Sequence, residues 1–218
     1  MKKIAIILAG GKGKRMKSAY PKQFIILKNY PILFYSLQKF THFDKIILVL
    51  PKNHINLWKS LCQEYKINIP HQIVKGGKTR FHSVRSGLDI INNKSIVAIH
   101  DGVRPFVSIK LINQCITLCS DMKGVIPALK MQDSIREIHM KRSKSINRSK
   151  IVTIQTPQVF MSRDLKNAYK QTYHKDFTDD ANVFEKYGGN IELTKGDRLN
   201  IKITTHEDLK LANFLIEN

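Results

Sequence analysis

Ile4-Ala5-Ile6-Ile7-Leu8-Ala9-Gly10-Gly11-Lys12-Gly13-Lys14-Arg15-Met16 is the stretch whose reading decides the fold. Six apolar residues in a row run straight into a pair of glycines, the pattern of a strand buried on both faces of a sheet that ends in a loop. Strands of that kind belong to parallel sheets, and in open parallel sheets ligands bind beyond the carboxyl ends of the strands. Successive glycines at such an end let backbone N–H groups approach an anion closely. The loop is therefore a candidate phosphate cradle. It is not a Walker A loop, which requires Lys-Ser or Lys-Thr after its second glycine, and it is not a dinucleotide fingerprint, because Met16 stands where the third glycine belongs and Pro21 interrupts an immediate helix.

Working outward from that strand, Pro31 followed by Leu33, Phe34, Leu37 and Phe40 predicts a helix. Buried strands are expected at 46–50, 72–75, 95–99 and 124–129, with helices at 52–65, 80–91 and 108–120 between them. The alternation implies an α/β architecture of three layers, α/β/α, with a mostly parallel twisted sheet. Between 131 and 156 the texture changes. Strand-like pieces at 134–139 and 151–155, separated by a polar and basic connector, predict a β-hairpin projecting from the sheet, an arm spanning 132–156. Helices at 162–172 and 179–187, strands at 191–193 and 201–203 and a closing helix at 206–216 complete a single domain over 1–218.

The 218 residues carry 37 Lys and Arg against 17 Asp and Glu, a formal charge of +20. Twenty-eight of the 37 are lysines spread along the whole chain. Nucleic-acid binding would cluster the charge and interleave aromatics for stacking, yet aromatics are 8% and Trp58 is the single tryptophan. The charge is read as compositional drift, with no specific nucleic-acid partner. No apolar run approaches the roughly 18–20 residues of a membrane-spanning helix. Met1-Lys2-Lys3 and the apolar stretch after it imitate a signal peptide, but without a cleavage site. Three cysteines, Cys62, Cys115 and Cys119, are too few and too odd for a disulfide framework and point to a reducing, cytoplasmic compartment.

At the end of the 95–99 strand, His100-Asp101-Gly102-Val103-Arg104-Pro105 sets a carboxylate and a guanidinium on the same sheet edge. Asp101 is a hard oxygen ligand suited to Mg²⁺ held jointly with substrate phosphates, and Arg104 can clamp a phosphate. His100 reads as a packed strand-end histidine. Gly76-Gly77-Lys78-Thr79-Arg80, with Ser83, is a second glycine loop entering a helix. Two glycine loops and an Asp/Arg loop on one edge suggest a nucleotide. Cys115 and Cys119 read as core, and Asp179 and Asp180 as helix N-terminal residues that favour the dipole. No hydrolytic triad or HExxH is present.

Ala9-Gly10-Gly11-Lys12-Gly13-Lys14-Arg15-Met16 with Pro21-Lys22-Gln23-Phe24 resembles the signature loop of the sugar-phosphate nucleotidyltransferases. His100-Asp101 with Arg104-Pro105, Gln155-Thr156-Pro157-Gln158, Thr178-Asp179-Asp180-Ala181 and Asn200-Ile201-Lys202-Ile203-Thr204 narrow the resemblance to the 2-C-methyl-D-erythritol 4-phosphate cytidylyltransferases. It runs essentially end to end and implies a Rossmann-like fold and transfer of a cytidylyl group from CTP to 2-C-methyl-D-erythritol 4-phosphate, with release of pyrophosphate. By position it assigns Ala9, Gly10, Gly11, Gly77 and Ser83 to the cytidine side, Arg15, Lys22 and Lys202 to the triphosphate, and Asp101 to Mg²⁺. For the methylerythritol phosphate it implies Asp101, Arg104, Ser134, Thr156, Thr178 and Lys202, with Arg148 donated by the partner subunit of a homodimer whose arms interlock. Ser134 stands where the family usually has Thr, and Gly102-Val103 where it commonly has two alanines. Lys78 often corresponds to an acidic residue and is left out of the site. A related cytidylyltransferase acting on D-ribitol 5-phosphate shares the glycine loop and the Asn-Ile-Lys-Ile-Thr-Thr segment; Phe177-Thr178-Asp179-Asp180-Ala181 and the short span from 155 to 178 favour methylerythritol phosphate.

Overall fold

The computed structural model describes residues 1–11, 20–140 and 142–217. In chain order it contains β1 (Lys2–Leu8), β2 (Ile26–Leu27), β3 (Tyr30–Pro31), α1 (Ile32–Gln38), β4 (Lys45–Leu50), α2 (Ile55–Glu64), β5 (Gln72–Lys75), α3 (Arg80–Asp89), β6 (Ser95–Asp101), α4 (Ile109–Leu118) and β7 (Lys123–Lys130). There follow β8 (Ile135–His139), β9 (Arg142–Ile146), β10 (Val152–Ile154), β11 (Gln158–Met161), α5 (Ser162–Ala168), α6 (Asp180–Lys186), β12 (Asn190–Lys195) and α7 (His206–Glu217).

The main sheet runs β10-β7-β11-β6-β1-β4-β5, with β12 on the other edge of β7. β1 lies between β4 and β6 and is parallel to both. Its side chains alternate between two helical layers, as the period of two along a strand demands. Ala5 and Ile7 pack with Leu33, Leu37, Trp58 and Ile112 from α1, α2 and α4. Ile4 and Ile6 pack with Val84, Leu88, Leu165 and Phe184 from α3, α5 and α6. An unbroken apolar run is therefore required on β1, and each fully buried Leu or Ile contributes about 1.5–3 kcal/mol. The expected three-layer α/β/α fold is observed.

Three sequence expectations differ from the structure. The hairpin pairs β8 with β9, His139 opposite Arg142, so the polar connector is itself a strand. The stretch around 151–155 instead returns to the main sheet, where Val152–Ile154 pair with Ala128–Lys130 of β7. The projecting part thus ends before the expected 156. Second, 201–203 is not a strand: the Ile203 N–H donates to Val103 O at 2.9 Å, and Ile203 is wholly buried in a satellite core with Leu27, Ile32 and Ala212. The Ile-Lys-Ile alternation reflects burial of a connection crossing the strand ends. Third, β11 was not expected. All four of its residues are buried, and it runs antiparallel to β6 and beside β7.

Candidate functional site

The carboxyl ends of β1, β4, β5 and β6 open onto a cavity of about 610 Å³. Ala9, Gly10 and Gly11 line it after β1, Gly77 and Ser83 after β5, and Asp101 after β6, with Lys22 and Lys202 closing it from two connections. Eight of the expected site residues thus meet in one place, as the sheet-edge argument requires.

Each wall has a local cause. A Cβ added at Gly10 would meet no atom of the described residues within 4 Å. Packing against the described residues does not demand glycine there, so the space suits a ligand lying against the backbone. The buried Gln23 amide donates to Ala9 O at 2.7 Å and holds the start of this loop. At the second loop, Thr79 caps α3, its hydroxyl accepting from His82 N. Ser83 Oγ donates to Thr79 O at 3.0 Å and accepts from Gly77 N at 3.2 Å, which ties Gly77 against the helix. Gly77 is also held by crowding, since a Cβ there would lie 2.3 Å from His82 Cβ. Lys22 sits in a 3-10 turn directly after Pro21, is largely buried, and donates from Nζ to Ile203 O at 3.2 Å.

Asp101 is the electrostatic centre. Its Oδ2 accepts from Lys202 Nζ at 3.0 Å and from Arg104 Nε at 3.2 Å. Burial alone would push its carboxyl up, but the charges of Lys202, Arg80 and Arg104 outweigh that and hold it well below the usual carboxylate range. Arg104 is anchored by Nη1 donating to Asn200 O at 2.8 Å, and Asn200 Nδ2 donates to Thr156 O at 2.8 Å. The Thr156 hydroxyl accepts from Asp101 N at 3.1 Å and lies 3.1 Å from His100 Nδ1, while His100 Nε2 lies 3.1 Å from Arg104 O. A carbonyl can only accept, so the proton is on Nε2 and the Thr156 hydroxyl donates to Nδ1. Burial pushes His100 down to about 4, so the imidazole is neutral and fully engaged, a packed strand-end residue.

The remaining expected residues lie elsewhere. Arg104 and Thr156 stand directly behind Asp101. Ser134, Arg148 and Thr178 are exposed and do not line the cavity. Arg148 Nη1 donates to Gln132 O at the base of the arm. Arg15 lies outside the described residues, as do Lys12 and Lys14. Asp179 is the N-cap of α6, accepting from Asn182 N at 3.0 Å. Asp180 opens α6, as the helix-start reading expected, and is in addition wholly buried against Arg80 and Tyr169. Arg80 and Gln23 both line the cavity and were given no role from sequence. Their signal was their place inside the two glycine-loop motifs.

Among the described residues no three His, Cys, Asp or Glu side chains gather as a metal cage, and no described helix is long and apolar enough to cross a membrane. Asp101 Oδ2 is taken by Lys202 and Arg104, whereas Oδ1 has no protein donor among the described residues. That donor set suits Mg²⁺, which is commonly held by one or two carboxylates together with substrate phosphates and water.

Residues 3–218 match the family model described as 2-C-methyl-D-erythritol 4-phosphate cytidylyltransferase. Among curated relatives, proteins of that name from Bacteroides thetaiotaomicron and Bacteroides fragilis are 43% and 45% identical, each comparison covering 99% of this chain and all of the relative. The crystal structure of 4-diphosphocytidyl-2C-methyl-D-erythritol synthase from Anaerococcus prevotii superposes with a TM-score of 0.80 at 31% identity, over 100% of this chain and 96% of that one. The Francisella tularensis 2-C-methyl-D-erythritol 4-phosphate cytidylyltransferase gives 0.78, also at 31% identity, over 98% and 99%.

Proposed function

Since the chain belongs to the 2-C-methyl-D-erythritol 4-phosphate cytidylyltransferase family, and so transfers a cytidylyl group from CTP to 2-C-methyl-D-erythritol 4-phosphate, we propose that the cavity at the ends of β1, β4, β5 and β6 is where this transfer occurs. The observation that carries the assignment is Lys202 and Asp101, with Arg104 behind them, facing two glycine loops, with no activated base in reach among the described residues. The acceptor is a phosphomonoester, already anionic near pH 7. Its oxygen attacks the α-phosphorus of CTP, the bond to the bridging oxygen breaks, and pyrophosphate leaves. Nothing has to be deprotonated, so positioning and charge neutralisation do the catalysis. A neutral His100 buried behind the site is compatible with that chemistry.

In this reading Ala9, Gly10 and Gly11 offer backbone to the nucleotide, with Gly77 and Ser83 on the cytidine side. Lys22, Lys202 and Arg15 neutralise the phosphates as charge moves to the leaving group. Asp101 would hold Mg²⁺ through its open oxygen, and the ion, when bound, supplies further neutralisation of phosphate charge. Arg104 and Thr156 orient Asp101 and the acceptor; with its proton given to His100, Thr156 can only accept from a substrate hydroxyl. Ser134, Arg148 and Thr178 complete the acceptor side. Because Arg148 and Ser134 sit on or beside the arm and outside this chain's own cavity, we assign Arg148 to the partner subunit's site in a homodimer. The single domain with its arm is the catalytic unit. Three free cysteines suit the cytoplasm as its compartment.

Pyrophosphate release with CTP and Mg²⁺ tests the reading, comparing 2-C-methyl-D-erythritol 4-phosphate with D-ribitol 5-phosphate. Release with the first alone is expected. Release with ribitol phosphate alone would overturn the acceptor.

A further inference from the structure

Neither the fold nor the roles above account for the guanidinium of Arg80. This residue opens α3 directly after Gly76-Gly77-Lys78-Thr79 and lines the cavity. It donates from Nη1 and Nη2 to the two carboxylate oxygens of Asp180, at 2.9 and 2.5 Å. Asp180 is itself anchored: the Tyr169 hydroxyl donates to its Oδ1 at 2.5 Å. Gln158 Oε1 accepts from the backbone N–H groups of Asp180 and Ala181, both at 3.0 Å. One edge of the guanidinium is therefore fixed by a bidentate pair whose carboxylate cannot move.

The other edge is open. A guanidinium carries five N–H donors, and the three that Asp180 does not take have no acceptor among the described residues. The Arg80 side chain keeps 29% of its exposure, whereas that of Asp180 keeps none. A cation held rigidly on one edge and open to a cavity on the other has the form of a preorganised anion ligand. Its surroundings agree. Asp101 lies close enough to feel the Arg80 charge, and Gly77 and Thr178 flank the pair in sequence, three residues before Arg80 and two before Asp180.

We propose that Arg80 is a further substrate-binding residue whose open guanidinium edge donates to a phosphate oxygen where nucleotide and acceptor meet, with Asp180 and Tyr169 as the positioning residues that hold it there. The proposal rests on the cytidylyl-transfer reading. The phosphate belongs either to CTP or to the acceptor, and the test has an arm for each.

Arg80→Met removes the charge. Arg80→Lys keeps a cation opposite Asp180 so that the fold stands, but a compact ammonium cannot span a carboxylate and a phosphate as a planar fork does. Each variant is assayed for pyrophosphate release, for CTP binding to the resting protein by calorimetry, and for thermal melting. The expected result is a loss of at least tenfold in kcat/KM in both, with the lysine variant melting within a few degrees of wild type. Weakened CTP binding assigns the contact to the nucleotide; unchanged CTP binding with a raised KM for the acceptor or a lower kcat assigns it to the acceptor. A folded lysine variant whose CTP binding and kcat/KM for both substrates stay within threefold of wild type overturns the proposal. CTP binding is read without turnover, so a failure of the catalytic reading would show separately, as wild-type protein that releases no pyrophosphate.

Discussion

At the scale of single residues, the site is a small set of charges around one carboxylate. Lys22 is largely buried at the cavity wall, where a fixed cation acts in a low dielectric and needs no reorganisation as charge develops. By comparison with removal of one preorganised charge donor, Lys22→Ala should lower kcat about 100-fold or more, measured at saturating CTP and acceptor. His100 carries a different prediction. Its pKa is near 4 in the folded chain against roughly 6.5 in an unfolded one. As pH falls the unfolded state takes up the proton first, so the contribution to stability is complete above about 6.5 and is lost as pH drops toward about 4. The full loss is on the order of 3 kcal/mol. Melting temperatures at pH 7.5 and 5 should therefore fall further for the wild type than for His100→Asn; equal falls would assign the acid limb to other groups.

At the scale of elements, the strongest sequence signals are strands buried on both faces. β1, β4 and β6 are continuous apolar runs because helices cover both sides of the sheet. β11 is equally buried but only four residues long, and nothing in Gln158-Val159-Phe160-Met161 separates a short central strand from the start of the helix that follows it. Its Phe160 is wholly buried and packs at 5.0 Å, ring to ring, on Phe184 of α6. Phe160→Ala should cost about 3–5 kcal/mol, read as a lower denaturant midpoint with an unchanged slope; a cost under 1 kcal/mol would mean that β11 is not an inner strand. The pairing within the arm escapes the sequence reading for the opposite reason. β8 and β9 are solvated on both faces, with Ile138 and Met140 exposed, so no burial pattern marks their pairing. A two-stranded ribbon is marginal in water by itself, which fits an arm that packs on a second chain.

At the scale of the whole molecule, a site shared between subunits predicts complementation. Arg148→Ala chains mixed with Lys22→Ala chains, under conditions that allow subunit exchange, should regain activity approaching a quarter of wild type from the one intact site in each mixed dimer. No recovery on mixing would mean that Arg148 serves its own chain. By itself the sequence determined the α/β alternation, the strand ends where the cavity opens, and the glycine loops with Lys22 and Asp101, because apolar runs, helical spacing and loop glycines are local patterns set by burial and backbone sterics, whereas Lys202 was marked only by the family resemblance. Only the tertiary structure decided that the 142–146 segment pairs within the arm and that 201–203 crosses the strand ends instead of joining the sheet. It alone showed that Asp180, at the start of α6, is also the buried anchor of Arg80. The last two outcomes depend on contacts between residues as much as 100 positions apart, such as Arg80 with Asp180, and no local periodicity records which distant partner will satisfy a buried group.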